Sequence, residues 1–123
     1  MKIATDLEQS RKLAEILTVD SADMYYINGD TDKIIIRKWK NDMHDDDDIP
    51  CWSLAALLDV LPDEITTKDG YEYNLRIVKD GVRYFLFYED SCGEKEDIDT
   101  DYHDDLVDAV YELILKLKDM DLI

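Results

Sequence analysis

Asp97, Asp99 and Asp101 alternate along one short stretch, and oxygen ligands at positions 1, 3 and 5 are how an EF-hand calcium loop begins. The rest of that loop does not follow. Its sixth position needs Gly for a sharp turn and is Tyr102, its eighth is Asp104 where an apolar side chain belongs, and its twelfth is Asp108 where a bidentate Glu belongs. The three aspartates are the metal candidates of the sequence, and a solvated acidic loop accounts for them more simply. Asn28, Asp30 and Asp32 make a similar alternation around Gly29, where hairpin-turn chemistry alone explains polar residues. His44 and His103 each sit among carboxylates that favour an imidazolium, and with aspartates they supply ligand types for a transition metal. They lie far apart in the chain.

Nucleophiles are few. Cys51 stands in an apolar stretch and reads as an inert core thiol, while Cys92, in Asp90-Ser91-Cys92-Gly93, has acids around it that oppose a thiolate. Ser53 and Ser91 have only the two histidines to serve as a base. No GxSxG, P-loop, GxGxxG or HExxH pattern occurs, and the carboxylates are too numerous for one pair to stand out as a glycosidase dyad. The expectation is a chain with no catalytic residues and no cofactor. The two cysteines form no CxxC pair and read as the reduced thiols of a cytoplasmic protein.

Acids number 31 against 14 Lys and Arg, a net charge of -17 over 123 residues. Affinity for nucleic acid comes largely from cations that neutralise phosphates, so direct binding to DNA or RNA is excluded as a leading function. An anionic membrane surface is disfavoured for the same reason. A basic protein partner, a metal cation, or solubility alone can account for the charge. It is also local: Asp42 to Asp48 holds five acids with no Lys or Arg, and Glu89 to Asp105 holds nine acids against Lys95. The remainder is close to balanced.

The elements that must carry these residues follow from periodicity. Thr5 and Glu8 have capping-box spacing before a helix over 6–17 with Leu7, Leu13, Ala14, Ile16 and Leu17 on one face. Met24–Ile27 and Lys33–Trp39 form a first hairpin around Asn28-Gly29-Asp30. The stretch Ile49 to Pro62 is apolar on nearly every side, which predicts a buried helix with Pro50 in its first turn and Pro62 at its end. Tyr71, Tyr73, Leu75 and Ile77 alternate with polar residues, Arg83–Tyr88 is apolar throughout, and Asp80-Gly81 turns between them. Leu106, Val110, Leu113 and Leu117 mark the last helix, with Asp104 and Asp105 at its start and Lys116 and Lys118 near its end. The expected architecture is α+β, one domain over 1–123. It has an antiparallel four-stranded sheet of two β-hairpins packed with three helices, in the order α-ββ-α-ββ-α, with hairpin-helix units over 24–61 and 71–118. Because each acidic segment joins a hairpin to the next helix, the two are expected at one end of the fold. An exposed strand at a sheet edge would support a dimer.

No apolar run reaches 18 residues, and Asp6 and Glu8 stand where an export signal would be basic and then apolar. A soluble chain, neither exported nor membrane-bound, is expected.

Leu13-Ala14-Glu15-Ile16-Leu17, Ser21-Ala22-Asp23-Met24, Ile49-Pro50-Cys51-Trp52-Ser53-Leu54-Ala55-Ala56-Leu57-Leu58 and Leu106-Val107-Asp108-Ala109 span nearly the whole chain. In these segments the chain resembles a group of short uncharacterised proteins of Bacteroides-type bacteria and their prophages or mobile elements. The resemblance implies a bacterial, intracellular, phage-linked origin and brings no catalytic or binding residues with it.

The functional expectation is a non-catalytic, acidic, cytoplasmic protein that acts through contacts with another protein, as an accessory or regulatory factor of a phage or mobile element. Asp45, Asp46, Asp47, Asp48, Asp97, Asp99 and Asp101 are the candidate partner-binding residues. Two alternatives stand beside it: a divalent-metal or small-ligand binder using the same acidic segments, and a DNA mimic whose carboxylates stand in for phosphates.

Overall fold

The computed structural model describes residues 2–27, 34–36 and 48–123, which form two compact units, Lys2–Val60 and Leu61–Ile123. Within the first, helix α1 (Leu7–Ile16) starts one residue later than the Thr5 and Glu8 spacing suggests. Asp6 is its N-cap, taking the Gln9 N–H at 2.8 Å, and the Gln9 side chain takes the Asp6 N–H at 3.0 Å. Thr5 is not free to cap. Its hydroxyl, fully buried, lies 2.8 Å from the Ser10 hydroxyl and accepts the Trp52 N–H at 3.1 Å.

Strands β1 (Met24–Tyr26) and β2 (Ile34–Ile36) pair antiparallel, as the hairpin reading requires; the turn residues Asn28, Gly29, Asp30 and Asp32 lie outside the described residues. The apolar stretch from Ile49 departs from expectation. Ile49–Cys51 is strand β3, pairing with the other side of β1 in a sheet ordered β2-β1-β3, and the helix, α2, covers only Leu54–Val60. The residue before a proline is pushed to extended backbone, and a proline without an N–H is at home on an edge strand. Ser53 then starts the helix, its hydroxyl accepting the Ala56 N–H at 3.2 Å. Asp23 fixes Ser53 in turn, accepting both its N–H, at 2.9 Å, and its hydroxyl. Trp52, Leu13, Leu57 and Cys51 are fully buried, whereas Ala55 and Asp59 are exposed, so the helix is sheltered on one side only.

The second unit is built on β4 (Glu64–Thr66), β5 (Glu72–Asp80), β6 (Arg83–Asp90) and β7 (Ile98–Asp99), an antiparallel sheet in that spatial order. β5 and β6 form the hairpin expected from Asp80-Gly81, and Gly81 at φ +63° takes the left-handed turn position that a side chain would strain. Helix α3 (Leu106–Asp119) is N-capped by Asp105 and packs on β6, burying Val107, Val110, Leu113, Ile114 and Leu117. From β6 the inward residues are Leu86 and Tyr88, whose hydroxyl donates to the Pro62 carbonyl at 2.7 Å. The α+β class, the antiparallel pairing and, among the described residues, three α-helices are as expected. The two hairpins, however, lie in separate sheets, each completed by strands that periodicity did not reveal: β3, β4 and β7. Runs of two or three residues are too short to show a period.

Candidate binding surface

The acidic segment from Glu89 to Asp105 is laid down by three of the chain's own carboxylates. Asp90, buried at the end of β6, is the first. It accepts the backbone N–H groups of Cys92 at 3.2 Å, Glu94 at 2.9 Å and Lys95 at 2.9 Å, and so folds residues 91–95 around itself. Burial opposes its charge, but those donors and the Lys95 ammonium prevail and hold its carboxyl below the usual aspartate range. Lys95 is held in turn over the Tyr71 ring, 4.8 Å from its centroid.

After the loop, Ile98 and Asp99 pair with Tyr88 and Phe87, and Thr100 continues the ladder with its N–H on the Leu86 carbonyl at 2.9 Å. His103 and Tyr84 then exchange both backbone bonds, at 2.8 and 2.7 Å. Between these points β6 advances from Leu86 to Tyr84 while the partner advances from Thr100 to His103, so the outer segment carries one extra residue. That is a β-bulge, and it re-aims the side chains that follow. Tyr102 goes to the face away from α3, edge-on to Phe85 with centroids 4.8 Å apart and under the Arg83 guanidinium at 4.5 Å. His103 goes to the other face, its Nε2 3.1 Å from Glu112 Oε1 of α3.

Glu112 is the second carboxylate. Besides His103, it accepts the outward Asp101 N–H at 2.9 Å, and one turn on Lys116 donates to the Asp99 carbonyl. Helix α3 thus caps the open edge of the segment, and both residues needed are on one helical face. Asp105 is the third, accepting the Val107 N–H at 2.9 Å to start α3.

With Asp90 buried and Asp105 half-buried, the other acids of the segment, Glu89, Glu94, Glu96, Asp97, Asp99, Asp101 and Asp104, are all exposed. Residues 97–108 run as a strand, a bulge and a helix start rather than a closed loop. Among the described residues no three His, Cys, Asp or Glu side chains are gathered to hold a metal ion. Of the other candidate site residues, Asp48 is half-buried in the first unit, and Asp45, Asp46 and Asp47, like His44, lie outside the described residues.

The unbroken apolar run of Tyr84–Tyr88 suggests burial on both faces of the strand. Instead Phe85 and Phe87 stack on the outer face with centroids 5.6 Å apart, only half-buried. Strand alternation, which puts neighbours on opposite faces, was the available signal. Asp90 and Glu112 gave none, because Asp90 is held by backbone amides and Glu112 meets the Asp101 amide and His103 only through the pairing of separate elements. Cys51 is a buried thiol as expected: burial first, then the charge of Asp23, pushes it up to about 12, while Cys92 is exposed. No helix among the described residues is long and apolar enough to cross a membrane.

No protein-family model matches the sequence, no curated protein matches it, and no solved structure matches the fold. The class defined by the geometry is a two-unit α+β protein with antiparallel sheets and an acidic segment held in place along one sheet edge.

Proposed function

We propose that this chain is a non-catalytic binding protein that engages a basic protein through the exposed carboxylates of Glu94 to Asp104, with Asp45 to Asp48 as a second acidic element. The observation that carries this reading is the division of labour among the acids. Asp90, Asp105 and Glu112 are spent on backbone amides, and the segment they hold displays Asp97, Asp99 and Asp101 to solvent. A solvated loop kept only for solubility has no need of a fixed backbone, whereas binding with pre-placed charges avoids part of the ordering cost. Charges so displayed attract a cationic partner over about a Debye length and lose that attraction in salt. In keeping with the sequence resemblance, the protein acts inside a bacterial cell as an accessory factor of a phage or mobile element.

The test is capture from host lysate with the folded chain and with D97N/D99N/D101N, each at low and high salt. A basic protein held by the native chain at low salt, and released by salt or by the triple substitution, is the expected result. Identical retention by the two baits overturns the reading.

A further inference from the structure

The two edges of the four-stranded sheet are treated differently. At β7, Glu112 and Lys116 cover the outward backbone groups of Asp101 and Asp99. At the other side, β4 covers β5 only along Glu72–Asn74, with one further bond from the Leu75 N–H to the Asp63 carbonyl at 3.0 Å. Beyond that point β5 is itself an edge. Asp80 pairs with Arg83 across the hairpin turn, so Arg76, Val78 and Asp80 turn their backbone groups to β6 while Ile77 and Lys79 turn theirs outward. Among the described residues no hydrogen bond reaches the outward groups of Ile77 and Lys79. Ile77 is 46% exposed, and at the hairpin tip Val82 is 80% exposed. Folds normally shield such an edge.

We propose that the open half of β5 pairs with the same segment of a second copy, antiparallel about a two-fold axis through Val78. The sequence is self-complementary in that register. Ile77 meets Lys79 of the second copy, where outward N–H and C=O groups of each find the other's, and Val78 meets Val78. Arg76 meets Asp80 of the second copy, and Asp80 meets its Arg76. All four of these charges are more than half exposed in the single chain, where among the described residues Arg76 reaches Glu89 at 3.4 Å and, more weakly, the Leu75 carbonyl at 3.5 Å, and Asp80 lies 3.9 Å from Arg83. The β5 segments end where β4 begins. The hairpin tip of each copy, with Val82, therefore comes against the depression of about 440 Å³ lined by Asp63, Glu64, Asn74, Leu75, Arg76 and Ile77 of the other. Two chains of -17 repel at long range, so this dimer tightens as salt is added, the reverse of binding to a basic partner.

Sedimentation equilibrium of the full chain tests this, with R76D, D80R and R76D/D80R beside it and far-ultraviolet circular dichroism to confirm that each folds. A species of twice 14.4 kDa that grows with concentration and salt is expected from the native chain. Each single charge reversal weakens it by about tenfold, and the double reversal restores it. A native chain that stays at 14.4 kDa overturns the proposal. So does a pattern in which R76D weakens and D80R strengthens association, because net charge alone then governs it. Amide exchange on the native chain needs no variant: Ile77 and Lys79 should slow as concentration rises, and rates independent of concentration contradict the pairing.

Discussion

Glu112 Oε2 lies 2.9 Å from the backbone nitrogen of Asp101, on a neighbouring segment eleven residues away in the chain. With the Glu112–His103 contact and the Lys116 bond to the Asp99 carbonyl, that bond lets α3 fix the position of a strand edge that carries the densest acidity among the described residues. The Glu112 side chain is 24% exposed while Asp101 itself is exposed, so water can compete for this bond. Glu112→Ala should cost about 0.5 to 1.5 kcal/mol in urea unfolding, the net range for a hydrogen bond whose donor can turn to water. Glu112→Gln, which keeps an acceptor oxygen, should cost less than half of that. Equal losses would mean that the carboxylate acts by charge and not by holding the Asp101 amide.

Asp90 makes the second unit acid-sensitive. Its carboxyl is depressed in the fold, so its contribution to stability is complete above the ordinary aspartate value of 3.8 and is lost as pH falls through the lower folded value. Thermal melts of the native chain should fall in that window more steeply than those of Asp90→Asn. In Asp90→Ala at neutral pH, the amides of Cys92, Glu94 and Lys95 should exchange faster while those of α3 stay protected. An unchanged exchange pattern would contradict the role given to Asp90.

The two thiols should differ in reactivity. Cys92 is exposed and should be alkylated in the native protein at once, while Cys51 should react only on a timescale set by unfolding. Since the Cys51 thiol is raised from 9.0 to about 12, its contribution to stability is whole below pH 9 and drains away as pH rises toward 12. Cys51→Ala should flatten that alkaline decline. Labelling of both thiols at one rate would show that the first unit opens readily.

Calcium or magnesium should leave the melting temperature unchanged, since residues 97–108 form a strand, a bulge and a helix start. A ligand that binds only the native state must raise the melting point, so a rise that grows with calcium and disappears in D97N/D99N/D101N would establish a cation site instead.

What could be read in the sequence was whatever repeats. The 3.6-residue period of Leu106 to Leu117 and the two-residue alternation from Tyr71 revealed α3 and the β5–β6 hairpin. Proline carried two meanings, a first helical turn or an edge strand, and at Pro50 the pairing with β1 decided for the strand. The cap of α1 was misplaced by one residue because Thr5 answers to Trp52, which is 47 positions away. In the candidate surface, the exposed alternation of Asp97, Asp99 and Asp101 was legible. The bulge that turns Tyr102 outward was not, because it depends on the register of one strand against another. For the same reason Asp90 and Glu112 looked like two more acids among many, though they hold the rest in place.

The most direct test of the central claim is the affinity of the captured basic protein for the native chain and for D97N/D99N/D101N, measured by calorimetry across a salt series. The account predicts a binding constant that falls steadily with salt for the native chain, a shallower slope for the triple variant, and at least about tenfold weaker binding by that variant at low salt. Equal affinities and equal slopes would contradict it, and would leave the acids of this edge as a solubilising coat.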